Sequence, residues 1–168
     1  MSQIVVVSGN PRPGSRTSVL AVAVGEALAA EQGGRPRAAE QGGPAPVVVE
    51  VGELGAGLLT PGDERTAAAL AELRAADLLV IATPTYKGSY TGVLKVLLDQ
   101  LPAQALAGKR AVPVVTAGVA PQATAAAELL RQLLTELGAD VAPALPVVEA
   151  DLPDTAAIAA KYAVGFTG

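Results

Sequence analysis

Asn10, Arg12, Ser15, Thr17 and Ser18 crowd one short stretch, Gly9 to Leu20, which reads GNPRPGSRTSVL. An apolar run precedes it and a helix-like pattern follows, so these side chains stand at a helix start. Unpaired N–H groups and the positive end of the helix dipole favour an anion there. Amides, hydroxyls and a guanidinium can hold a phosphate monoester, although Ser15 and Thr17 can equally serve as caps. Two familiar phosphate loops fail on register. Gly9 and Gly14 have Walker A spacing, but Ser15 and Arg16 stand where that loop needs Lys and Ser or Thr. The dinucleotide fingerprint G-x-G-x-x-G fails because Pro11 occupies its second glycine position.

Composition removes other chemistries. With no Cys and no His, the chain has no disulfide, thiol nucleophile, imidazole base or zinc site of the usual nitrogen and sulfur type. A net charge of -4, with the 12 basic residues scattered, argues against nucleic acid as a partner. No stretch reaches the roughly 18 apolar residues of a membrane span, and no basic leader precedes Ile4, so the expectation is a soluble, cytoplasmic protein. At 168 residues and 51% hydrophobic, the chain reads as one domain, 1–168, with material for a full core.

The elements that must position the polar stretch alternate. Val5 to Val7 form a β-branched run of the kind buried on both faces of a parallel sheet. A helix from Thr17 to Ala30 follows, with Ser15 as its N-cap. Residues 31–46, EQGGRPRAAEQGGPAP, read as a flexible Gly/Pro-rich surface loop. Val47–Val51 is a second strand, Glu64–Ala75 a helix and Asp77–Pro84 a third strand. A helix from about Thr91 to Leu101, a strand over Arg110–Gly118, a helix over Ala123–Gly138, a fifth strand over Asp140–Ala150 and a short helix over Thr155–Val164 complete the chain. Pro143 and Pro146 push that fifth strand to a sheet edge, where a missing N–H is tolerated. This spacing predicts a flavodoxin-like, doubly wound, five-stranded parallel sheet in the order 2-1-3-4-5 with helices on both faces. The loops after strands one, three and four then gather at one end: Gly9–Thr17, Thr83–Ser89 and Thr116–Pro121.

With that placement, the loops resemble those of the NAD(P)H-dependent FMN reductases. Gly9, Arg12, Ser15, Thr17 and Leu20 match the G-S-x-R-x-x-S-x-[NTS]-x-x-L loop of that family, with Asn10 in place of its Ser. PTYKGSYTGVLKVLLD, Pro84 to Asp99, is similar to the family segment P-x-Y-x-x-S-x-x-G-x-L-K-x-x-L-D in unbroken register. Thr116-Ala117-Gly118 resembles its T-G-G.

The resemblance implies an enzyme that binds FMN. Asn10, Arg12, Ser15, Thr17 and Ser18 would meet the phosphate, and Pro84, Thr85, Tyr86, Lys87 and Gly88 the edge of the isoalloxazine ring. Thr116, Ala117 and Gly118 would meet its pyrimidine end. Arg12 could instead receive a phosphate of the nicotinamide cofactor, NADPH or NADH. Hydride passes between two cofactors, so no protein acid or base is obligatory. A homodimer or tetramer, and a flavin-dependent monooxygenase consuming the reduced flavin, are the implied partners. An FMN-containing quinone or azo reductase and a flavodoxin-type electron carrier are the alternatives. A receiver domain is set aside, because Ser8 and Gly9 stand where it needs acidic residues.

Overall fold

Ile4 to Val7 are almost completely buried, as expected of a strand with neighbours on both sides and helices on both faces. The computed structural model describes residues 2–33 and 45–166. In chain order they form β1 (Ile4–Ser8), α1 (Arg16–Gln32), β2 (Val47–Glu50) and a short helix α2 (Val51–Leu54) that runs into a 3-10 turn at Gly55–Leu59. α3 (Glu64–Ala75), β3 (Leu78–Pro84), α4 (Gly92–Asp99), β4 (Arg110–Ala117) and α5 (Ala120–Glu136) follow. β5 (Asp140–Val141), β6 (Leu145–Val148), a 3-10 turn at Glu149–Asp154 and α6 (Thr155–Gly165) complete the order.

All strand pairs are parallel and the order is β2-β1-β3-β4-β5, as the alternation predicts. Side chains alternate between the two faces, so each strand feeds two core layers. Val5, Val7, Leu79 and Ile81 pack under α3, α4 and α5. Ile4, Val6, Leu78 and Val80 pack under α1 and α6. Cap residues place the helix starts. Ser15 Oγ accepts from the N–H of Ser18 at 3.2 Å, Asp63 Oδ2 from that of Thr66 at 2.9 Å, and Thr91 Oγ1 from that of Leu94 at 3.2 Å.

The structure corrects several boundaries. The fifth strand is split, giving six strands: β5 pairs with Arg110 and Ala111, and β6 with Val114 to Ala117. The ladder carries on through Ala142, whose N–H donates to the Ala111 carbonyl at 2.8 Å, and breaks where Pro143 has no N–H to give. Both segments lie at the free edge where the prolines put them. Val51 opens α2 instead of closing β2, and α4 is shorter than expected, with Thr91 as its cap. α5 begins at Ala120, three residues early, because Pro121 fits a first helical turn. Glu31 and Gln32 continue α1, while residues 34–44 of the expected loop lie outside the described residues.

Candidate functional site

The first loop owes its shape to local bonds. Asn10 is buried, and its Oδ1 accepts from the N–H of Arg12 at 2.9 Å, an Asx turn that starts the bend. Gly14 completes the bend at φ 67°, which costs a residue without Cβ little. α1 then starts with the N–H groups of Arg16 and Thr17 lacking intrahelical acceptors, the feature that suits an anion. The loop rests on α2. A Cβ on Gly52 would stand 2.7 Å from the Pro11 carbonyl carbon and 3.0 Å from the Asn10 carbonyl oxygen.

The predicted phosphate ligands do not all face outward. Arg12 is exposed, whereas Ser15, Thr17 and Ser18 are each 5% exposed or less. Ser18 Oγ lies 2.6 Å from Ser8 Oγ and 3.1 Å from Ser15 Oγ, and it donates to Glu50 Oε2 at 3.1 Å. Thr17 Oγ1 meets Thr116 Oγ1 at 3.1 Å. These hydroxyls therefore hold the helix start in place, and the first backbone N–H groups of α1 keep no intrahelical acceptor.

In the second loop, Pro84 and Thr85 are half-buried, and Tyr86, Lys87 and Gly88 are exposed. The N–H of Tyr86 donates to the Ser89 carbonyl at 2.9 Å, and the N–H of Ser89 donates back at 3.2 Å. Lys87 at φ 52° and Gly88 at φ 83° are the central pair of a type I′ turn, which projects the peptide between them from the strand end. In the third loop Thr116 and Ala117 are buried and Gly118 is exposed. A Cβ on Gly88 or Gly118 would meet nothing within 4 Å, so a flat ring edge has room to approach both backbones.

Threonines bind the three loops together. Thr85 Oγ1 donates to the Thr116 carbonyl at 2.9 Å, and Thr17 reaches the same residue's hydroxyl. Thr91 Oγ1 donates to the Gly9 carbonyl at 2.6 Å while its own N–H donates to Thr83 Oγ1 at 3.1 Å. Thr91, Ser8, Glu50 and Gly52 are absent from the site read from sequence, and Thr83 enters it only as the first residue of its loop. Thr91 carries a visible signal, a Thr ahead of an apolar helical run; Glu50 carries only its place at the end of a valine strand. Two clefts of about 510 Å³ each lie elsewhere, one between β6 and α6, the other among the Gly55–Leu59 turn, α3 and α4. Neither is lined by a residue of the three loops. The free helix-start N–H groups and the open backbone at the strand ends suit a phosphate and the edge of a flat ring.

Comparison with known proteins bears on that fit. The model of a family described as NADPH-dependent FMN reductase matches residues 2–151. An FMN reductase (NADPH) of Escherichia coli K12 is 44% identical over 68 residues, 40% of this chain but only 36% of that relative's length. An NADH-dependent FMN reductase of Pseudomonas fluorescens is 34% identical over 160 residues, 90% of this chain and 79% of the relative. Among solved structures, an NADH:FMN oxidoreductase in its apo form aligns with TM-score 0.76 at 30% identity, over 100% of this chain and 91% of that one.

Proposed function

Since the chain belongs to the NADPH-dependent FMN reductase family, we propose that it transfers hydride from NADPH or NADH to FMN held across the three strand-end loops. The observation that carries this is their threonine lacing, which brings the α1 N-terminus, the Lys87–Gly88 turn and Gly118 to one end of the sheet. Bound FMN supplies the electron-accepting ring. The chain's part is positional: backbone N–H groups at α1, shaped by Asn10, Ser15, Thr17 and Ser18 and assisted by Arg12, take the phosphate. The Pro84–Gly88 loop and the Thr116–Gly118 segment border the ring. Thr85 and Thr116 act by fixing the relative position of the two loops, and Tyr86, 49% exposed, would border the ring with the rest of its loop.

Anaerobic titration of the FMN-loaded protein with NADPH or NADH tests this. The expected result is bleaching of the flavin band; a bound flavin that neither nucleotide bleaches would make the protein an electron carrier. We also propose that FMN is a substrate, since the ring-side contacts are mostly backbone and a stacking clamp would need aromatics. Flavin should then leave on a desalting column. A protein that stays yellow through dialysis, with quinone turnover indifferent to added FMN, would overturn that role.

The single domain, residues 1–168, is proposed to work in the cytoplasm as a homodimer or tetramer, supplying a flavin-dependent monooxygenase. Support for assembly comes from α4, where Val93 and Val96 are only half-buried, and from neighbouring Leu59, which is 78% exposed. No helix among the described residues is long and apolar enough to cross a membrane. A monomer by light scattering at micromolar concentration would refute the assembly.

A further inference from the structure

Glu50 closes β2 directly beside Ser8, its register partner on β1. From there its carboxylate reaches into the first loop. Oε1 accepts from the N–H of Gly14 at 3.4 Å, and Oε2 accepts from the hydroxyl of Ser18 at 3.1 Å. The Gly14 amide is the donor kind that an incoming phosphate uses, and the Ser18 hydroxyl braces the helix start that supplies the neighbouring amides. Through Ser18 the carboxylate also engages Ser8 and Ser15, so it anchors the whole hydroxyl cluster under the α1 N-terminus.

A negative charge is the wrong sign for a site whose ligand is a phosphate, and a neutral residue could brace the loop equally well. We propose that Glu50 is a specificity-determining residue: an internal anion that occupies donors of the phosphate loop, weakens its hold on the FMN phosphate and so narrows the preference for FMN over riboflavin. The inference rests on the FMN reading above. It gives that reading a physical means of release, because the loop that grips the phosphate carries its own competitor. Riboflavin, which lacks the phosphate, is indifferent to the charge.

The test is equilibrium binding of FMN and of riboflavin, each followed by quenching of flavin fluorescence, to the native protein and to Glu50→Gln. Glu50 is half-buried at the surface, where a single charge pair changes affinity by up to about fivefold. The Kd for FMN should therefore fall on the order of fivefold in Glu50→Gln while that for riboflavin holds, and the gain should shrink in high salt. An unchanged or raised FMN Kd, or equal shifts for both flavins, would make Glu50 a structural brace and overturn the inference. Glu50→Ala removes charge and brace together and should move the FMN-to-riboflavin ratio in the same direction, which keeps the test decisive if the Gln variant folds poorly. Native protein that binds no FMN overturns the underlying reading as well; native binding with an unmoved ratio in the variants overturns the inference alone.

Discussion

Replacing Gly52 with Ala should damage flavin binding from outside the site. The new Cβ would collide with the Pro11 carbonyl oxygen and stand 2.7 Å from its carbon, and ordinary contact begins at 3.4 Å, so Pro11 must retreat by more than about 0.7 Å. The obstacle is backbone, not a flexible side-chain tip, and Pro11 lies between Asn10 and Arg12 at the Asx turn. Helix propensity pulls the other way by up to about 1 kcal/mol, since Gly52 lies in α2. Overpacking costs about 1 to 3 kcal/mol, so the clash should win, with a net loss of stability near 1 kcal/mol. Function should suffer more than stability, because displacing a pre-organised loop by the better part of an ångström costs on the order of tenfold to a hundredfold. Thermal melts and FMN titration by fluorescence quenching measure the two effects. Gly14→Ala is the control, for its Cβ meets nothing within 4 Å and its cost comes from φ 67° alone. A folded Gly52→Ala protein that binds FMN as the native one does would refute the view that α2 supports the phosphate loop.

Other perturbations follow the same geometry. Ser15→Asp keeps a competent cap for Ser18 yet sets a second carboxylate beside the phosphate, so FMN affinity should drop on the order of tenfold while the melting temperature holds; unchanged affinity would reduce Ser15 to a cap. Thr91→Ala removes the α4 cap and the bond to Gly9 together and should cost about 1 to 2 kcal/mol in denaturant unfolding. A double-mutant cycle of Thr17→Val and Thr116→Val should give a coupling of about 1 kcal/mol, and strict additivity would deny the link between the first and third loops. Burial pushes the Tyr162 phenol from its ordinary 10 up to about 12, opposed by Arg110, while its hydroxyl donates to the Pro143 carbonyl at 2.6 Å. The unfolded chain ionises first, so this stabilisation is full below pH 10 and lost as pH rises towards about 12. The stability difference between native protein and Tyr162→Phe should shrink over that window and stay flat below it.

What the sequence made legible depended on how locally each feature is encoded. Strand order followed from the alternation of valine runs and helical periods, because a parallel strand must be reached by a crossover. The Thr83–Ser89 loop and the Ser15 cap were legible because a few adjacent residues decide them. The lacing was not. Thr91 meets Gly9 across 82 positions and Thr17 meets Thr116 across 99, and no local pattern states such pairs. The same distance effect hid the hydroxyls' partners. Side by side in the sequence, Ser15, Thr17 and Ser18 look like ligands aimed at one anion, but folding brings Ser8, Glu50 and Thr116 against them, and those partners claim the side chains. Under the proposed function, recognition at the first loop accordingly rests on backbone N–H groups, and the hydroxyls act by holding the helix start still. For such a site, loss of a buried hydroxyl should register first as loss of loop order, whereas a new charge at the same position registers directly as loss of phosphate affinity.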